Sequence, residues 1–261
     1  MSATTTMPAV VIAANDGTTY MMSLAMDKCP TDAVAYFSGI ASSFHNSYNE
    51  DANRQERIRV WNLYFDRFAT RTSFGYDIGC GSGILACELA RRGVDMIGID
   101  GASNMLSIAE SSAREQMLRN VTFQKHRLPI SDTTSFRIAD LIISSSALEY
   151  LDSMPEALGF LHRMLRPGGV LIFSVSNYDS LSRKAVRVVH AWTGKPAYFG
   201  LLKQFTTVED VCAVLRATGF TLLAHSYFAK ADRINRTLGM VMPERFASNM
   251  IIVAARRNQC I

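Results

Sequence analysis

The chain has 261 residues, of which 48% are hydrophobic and 19% charged. That balance excludes a fibre or a disordered chain and fits one large globular domain, or one domain with a decorated end. The net charge of +4 and the pI near 8.8 fall short of the pI above about 9 that marks a dedicated nucleic-acid domain. At this length folding buries roughly three quarters of the unfolded chain's surface, so the core needs neither disulfides nor a structural metal.

The longest apolar run near the amino end, Met7 to Ala14, is too short to span a bilayer, and no Lys or Arg precedes it. A cytoplasmic protein without a membrane segment is therefore expected. Cys29, Cys80, Cys87, Cys212 and Cys260 are scattered, odd in number and free of any C-x-x-C pair, which reads as reduced thiols rather than a disulfide framework or zinc site. Residues 1–30 carry few charges and no helical period, so they form a separate appendage. Within it Ala9 to Ala13 and Thr18 to Met22 flank Asn15-Asp16-Gly17, leaving a β-hairpin and a flexible tail as the two readings.

From Tyr36 to Tyr48 and from Arg54 to Phe68 apolar residues recur at helical spacing, with Ile58, Trp61, Phe65 and Phe68 on one face. These two helices make a cap, 31–72, ahead of a main domain, 73–261. In that domain the pattern alternates through strand Phe74 to Ile78, helix Gly83 to Arg92, strand Asp95 to Ile99, helix Met105 to Leu118 and strand Val121 to Gln124. Strand Leu141 to Ser144, helix Met154 to Leu165 and strand Val170 to Val175 continue it. Such alternation specifies a parallel sheet with helices on both faces. Segment 180–208 then holds Arg183, Lys184, Arg187, Lys195 and Lys203 with no acidic residue, either a solvated helix face or an anion-attracting wall. Helix Val208 to Thr218 stops at Gly219, and strands Phe220 to Tyr227 and Asn249 to Ala255 follow with no helix expected between them. The class is α/β, a doubly wound sheet of about seven strands, mostly parallel, with an antiparallel edge strand.

Asp77-Ile78-Gly79-Cys80-Gly81-Ser82-Gly83 lies where the first of these strands turns into a helix, a place where glycines let backbone approach a ligand closely. A nicotinamide fingerprint would need glycine at 84, where Ile84 stands. The next strand ends in Gly98-Ile99-Asp100, which sets a carboxylate beside the crevice, suited to both hydroxyls of a ribose. Capping the following helix is the alternative for Asp100.

Through YDIGCGSG (76–83), GIDGASNML (98–106), LIISSSALEYL (141–151) and LRPGGVLIFSVSN (165–177) the chain resembles the class I S-adenosylmethionine-dependent methyltransferases. Within them it is most similar to the small-molecule group of ubiquinone- and biotin-pathway enzymes. The four motifs cover 74–177, and the likeness extends to about 36–255. The resemblance implies a Rossmann-like fold with S-adenosylmethionine bound and S-adenosylhomocysteine released. It implies that Gly79, Cys80, Gly81 and Gly83 line the methionine portion, that Asp77 anchors the loop and the ammonium side, and that Asp100 and Gly101 hold the ribose. Met105 would lie on the adenine face, or equally be helix core. Ser145 would border the cofactor, and Tyr48 and Arg54 in the cap would meet its carboxylate. One departure is His126-Arg127-Leu128, where the family commonly presents an acidic residue to the adenine amino group. Arg127 has no side-chain acceptor, so backbone of Arg127 and Leu128 would serve.

Methyl transfer from a sulfonium is an in-line displacement, in which positioning supplies much of the rate and a base is needed only for a protonated acceptor. Tyr150 takes the place where the family often has His, and an unperturbed phenol with a pKa of about 10 positions substrate rather than acting as a base. His45, His190 and His225 are the base candidates, and His190 is singled out by its place in the lid, with a surface histidine as its alternative reading. It lies in the substrate lid, 178–208, whose Tyr178, Trp192, Tyr198, Phe199 and Phe205 suit either stacking on a planar acceptor or core packing of the lid. Glu149 and Asp152 alone make too weak a ligand set, and no metal is expected. The expected acceptor is a small molecule, aromatic or heterocyclic, methylated on oxygen or nitrogen, with RNA or protein as the competing class. No N-P-P-Y-like motif for a flipped base follows the fourth strand, so a nucleic-acid partner is not expected, and the enzyme is a monomer or homodimer.

Overall fold

The computed structural model describes residues 10–13, 19–22, 32–70, 72–130, 133–230 and 233–259. Strands β1 (Val10–Ala13) and β2 (Thr19–Met22) pair antiparallel as a separate two-stranded sheet, with Val10 opposite Met22. Asn15-Asp16-Gly17 lies outside the described residues. Where the spacing predicts one cap helix there are two, α1 (Ala33–Gly39) and α2 (Ala41–Glu50), broken at Ile40. Helix α3 (Ala52–Phe68) follows, with the Asp51 side chain accepting from the amides of Asn53 at 2.7 Å and Arg54 at 3.2 Å. That cap satisfies donors left free at the first turn.

The main sheet is built from β3 (Phe74–Ile78), β4 (Asp95–Asp100), β5 (Val121–Lys125), β6 (Ala139–Ser145), β7 (Leu165–Ser176), β8 (Phe220–Phe228) and β9 (Met250–Arg257) in the order β5-β4-β3-β6-β7-β9-β8. Helices α4 (Ile84–Arg91), α5 (Ser103–Glu115), α6 (Met154–Met164) and α8 (Val208–Ala217) connect them. Strands β3 to β7 are parallel, and β9 runs antiparallel to both β7 and β8. The expected seven-stranded, mostly parallel sheet is therefore present, with its antiparallel pairing at one end. The last strand inserts between β7 and β8, leaving β8 outermost. Insertion buries β9 on both faces from Met250 to Ala255, which fits its unbroken apolar run.

One expectation is corrected here. Helices α9 (Arg233–Val241) and α10 (Glu244–Ala247) lie between β8 and β9, where none was expected, because they are only nine and four residues long and offer a short period to read. The basic segment after β7 contains helix α7 (Leu181–Thr193), which has no buried residue, followed by the short 3-10 helix Ala197–Leu201.

The core lies on both faces of the sheet. One face gathers Tyr76, Phe160, Phe173 and Phe220; the other gathers Leu89, Met96 and Phe228 with Trp61 and Phe65 of α3. Helix α3 is thus a sheet-covering helix. In contrast, among the described side chains α1 and α2 bury only Ala41, packed with Ala102 and Met105 of the domain. The carboxyl ends of β3, β4 and β6 open toward α1 and α2, the place where parallel α/β sheets present their ligand crevice.

Candidate active site

The turn from β3 into α4 demands glycine. Gly79, Gly81 and Gly83 have φ of +71°, +52° and +76°, values that side-chain-bearing residues rarely adopt. A Cβ on Gly79 would sit 2.2 Å from the Ala147 Cβ, so the loop closes against the end of β6 with no room to spare. The Gly79 and Cys80 amides donate to the Ile99 carbonyl at 2.7 and 3.0 Å. Asp100 completes the anchor: its Oδ2 accepts from the Gly81 amide at 2.9 Å and its Oδ1 from the Ala102 amide at 2.8 Å. One carboxylate thus joins the glycine loop to the start of α5, and burial raises its pKa despite these bonds.

Asp77 was expected to anchor that loop, but neither of its carboxylate oxygens has a hydrogen-bond partner, and the residue is 1% exposed. Burial, reinforced by the charge of Asp100, pushes its pKa up to about 8. A buried carboxyl without a donor costs stability unless it stays protonated or meets a cation. The anchoring belongs to Asp100 and the Ile99 carbonyl instead.

A cavity of about 900 Å³ opens beside the loop. Gly79, Gly81, Asp100, Gly101 and Met105 line it, as do Leu128, Ser145 and Tyr150. Met105 lies in it as packed core, 1% exposed, against α1 and α2. From the cap come Phe37, Phe44, Tyr48 and Arg54. The Arg54 guanidinium sits 4.1 Å from the Phe44 ring centre and 4.9 Å from that of Tyr48, with Nη1 3.4 Å from the Tyr48 hydroxyl. Arg127 also borders the cavity, but its guanidinium is bound at 2.7 Å to Asp32, the residue capping α1. It ties the cap to the end of β5.

Four expected residues do not line the cavity: Asp77, buried beneath the loop, and Cys80, Gly83 and His190. The Cys80 thiol, buried and with its pKa well above the usual value through burial, faces Gly98, whose added Cβ would lie 3.0 Å from its sulfur. Gly83 serves packing, since a Cβ there would meet Ala109 at 2.8 Å and Phe123 at 2.9 Å. His190 is a correction: its ring packs on Phe199, centroids 5.5 Å apart, and it does not line the cavity. The last turn of α7 faces the 3-10 helix behind the wall. All five histidines are described, and none of them lines the cavity.

Tyr150 does line it, stacked edge-on against Phe37 with centroids 5.3 Å apart. Burial, with help from Glu149 and Tyr198, drives its pKa further above the ordinary phenol value, so the hydroxyl keeps its proton and can donate. Tyr198 and Lys203 reach the cavity from the lid, whereas Phe199 is buried between His190 and Phe205. Glu149 and Asp152 diverge. Glu149 is buried, accepting at 2.6 Å from both the amide and hydroxyl of Ser176, while Asp152 is exposed and bound to Lys203 at 2.5 Å. Among the described residues no group of three or more His, Cys, Asp or Glu is arranged to hold a metal.

The sequence reading overlooked two arginines. Arg57 Nη1 donates to the hydroxyls of Ser145 and Ser146, each at 2.8 Å, and lines the cavity. Its position three residues after Arg54 on the same stripe was the available signal. Arg183, noted only as part of a basic segment, lines the cavity from α7.

Residues 53–225 match the family described as a methyltransferase domain. The ubiquinone biosynthesis O-methyltransferase of Coxiella burnetii (strain RSA 331 / Henzerling II) is 25% identical over 210 residues, 78% of this chain and 84% of that protein. Other ubiquinone biosynthesis O-methyltransferases match over less than half of their own length. Among solved structures, magnesium protoporphyrin IX methyltransferase from Synechocystis PCC 6803 with bound S-adenosylhomocysteine has a TM-score of 0.65 at 16% identity, over 86% of this chain and 98% of that one. The [4+2]-cyclase SpnF has a TM-score of 0.64 at 18% identity, over 87% and 95%. These structural likenesses establish the fold, and the cyclase among them means that fold by itself does not fix the reaction.

Proposed function

Since the chain belongs to the methyltransferase-domain family, we propose that it transfers a methyl group from S-adenosylmethionine to an oxygen or nitrogen of a small aromatic or heterocyclic acceptor. The observation that carries this reading is the Asp100 carboxylate, held by the Gly81 and Ala102 amides at the mouth of the glycine loop and facing the cavity. Asp77 lies outside the cavity's lining, but its buried carboxylate beside the glycine loop would favour an ammonium that reached it. Arg54 and Tyr48 line the cavity, which supports their holding the cofactor's carboxylate. When bound, S-adenosylmethionine supplies an electrophilic methyl carbon on sulfur and leaves as S-adenosylhomocysteine.

The chain's own part is to enclose and orient. The rings of Phe37, Phe44 and Tyr198 line the cavity, which supports exclusion of water from the displacement. Tyr150, with its proton retained, donates to the acceptor and holds its nucleophilic atom in line. With every histidine outside the cavity, an acceptor that arrives as an anion or neutral amine suits this site better than one needing deprotonation.

Calorimetry with S-adenosylmethionine tests the cofactor site: Asp100→Ala should weaken binding at least ~10-fold, since charge-assisted hydrogen bonds are worth about 1.5–3 kcal/mol. An unchanged dissociation constant would refute the ribose role. Incubating the enzyme with methyl-labelled cofactor and a cell extract, then separating small molecules from macromolecules, tests the acceptor class. Label confined to RNA or protein would overturn the small-molecule reading.

A further inference from the structure

Arg57 and Arg183 line the cavity, and neither has a carboxylate partner among the described residues. Arg57 spends Nη1 on the neutral hydroxyls of Ser145 and Ser146. Arg183 Nε donates to the Asn249 carbonyl at 2.9 Å, its Nη2 lies 3.1 Å from the Met250 sulfur, and its buried Nη1 has no partner. Among the described residues neither forms an ion pair, although eight other basic side chains do. Glu149, the carboxylate whose charge reaches Arg57, is already committed to Ser176 through Oε2. Burial, together with the charges of Arg54 and Arg183, holds the Arg57 pKa below its usual value. An enclosed guanidinium with free donors calls for an anion.

We infer that Arg57 and Arg183 form an acid-binding subsite, and that the methyl acceptor carries a carboxylate held by these two guanidinium groups. The inference rests on the methyltransferase reading and specifies its substrate class. Position separates the subsite from the cofactor end. The glycine loop follows β3, whereas Arg183 is fixed to Asn249 and Met250 at the start of β9, three strands away in the order β3-β6-β7-β9, or roughly 14 Å at ~4.8 Å per strand. Arg57 is fixed to the end of β6, between the two. The cofactor's one carboxylate has Arg54 available at the cap. Arg183 Nη1 therefore remains for a second anion.

The test uses the full chain loaded with S-adenosylhomocysteine and three probes, benzoate, 4-hydroxybenzoate and indole-3-acetate, each paired with its uncharged primary amide. Calorimetry should show at least one acid binding at least ~10-fold tighter than its amide, because the amide forfeits the charge-assisted bonds. Arg183→Gln and the conservative Arg183→Lys should both weaken that acid, with Arg183→Gln bringing it to within about threefold of the amide while the S-adenosylhomocysteine affinity changes less than about threefold. Arg57→Gln should weaken the acid similarly. Amides binding as well as acids, or no acid binding to the loaded wild-type protein, overturns the inference and leaves the proposed function standing. Loss of S-adenosylhomocysteine binding by a folded Arg183→Gln variant also overturns it, by giving that guanidinium to the cofactor. A wild-type protein that fails to bind S-adenosylhomocysteine overturns the methyltransferase reading itself. The acid-against-amide comparison needs no variant to fold.

Discussion

Two aspartates at the ends of neighbouring strands show how position divides one chemistry. Asp100 spends its oxygens on the Gly81 and Ala102 amides, and Asp77 spends its own on nothing in the protein. With its pKa pushed up to about 8, Asp77 keeps its proton in the folded protein at neutral pH, while in an unfolded chain it ionises near pH 4. Across pH 4 to 8 the folded state therefore binds the extra proton, and this residue's contribution to stability falls as pH rises through that window. A cationic ammonium reverses the preference by favouring the carboxylate. Affinity for S-adenosylhomocysteine should accordingly rise with pH from 6 toward 8, by up to ~10-fold per unit, and level off above. Isothermal titration at a series of pH values measures this, and Asp77→Asn should flatten it. A wild-type affinity independent of pH across that range would show that no cation meets Asp77.

The lid illustrates how one element distributes adjacent aromatics between two roles. Tyr198 lines the cavity, while its neighbour Phe199 is 5% exposed and sandwiched between His190 and Phe205. Replacing the two should give different phenotypes. Tyr198→Ala should raise the acceptor KM, or lower kcat/KM, with the cofactor dissociation constant within about threefold of wild type. Phe199→Ala should instead destabilise the protein, by about 3 kcal/mol or more for a buried phenylalanine, seen as a lower Tm. If Tyr198→Ala leaves acceptor kinetics untouched, the acceptor meets the cap around Phe44 and Tyr48 rather than the lid.

For the molecule as a whole, the division between cap and domain falls inside the stretch expected to form one unit. Helix α3 buries Trp61, Tyr64 and Phe65 in the sheet's core. Helices α1 and α2 hold on through Ala41, the aromatic contacts of Phe37 and Phe44, and the exposed Asp32–Arg127 pair, the last worth under about 1 kcal/mol. Regions with so few buried contacts open at low cost. S-adenosylhomocysteine should therefore slow amide hydrogen exchange across 33–50 far more than across 52–68, because a ligand beneath the cap adds contacts only to its cover. Equal protection of both segments would mean that the cap is already closed without ligand. No helix among the described residues is long and apolar enough to cross a membrane.

Local chemistry carried much of this into the sequence itself. Strand and helix periods, the glycines that need left-handed φ, and a carboxylate at the end of β4 are dictated by short-range sterics and spacing, so Gly79, Gly81 and Asp100 were legible along with the alternating sheet. Family membership followed from the same four motifs. The partner of each charge depended on chain segments far apart. Ser145 and Ser146 stand 88 and 89 residues from Arg57, and Asn249 stands 66 from Arg183, so no local window could show those guanidinium groups enclosed and lacking an acid. His190 and Tyr198 looked equivalent within the lid, and only the turn of α7 onto the 3-10 helix put the imidazole behind the wall and the phenol into the cavity. Tertiary packing decided which titratable groups face the reacting space, because burial and charge neighbourhood are properties of the folded surface rather than of sequence spacing.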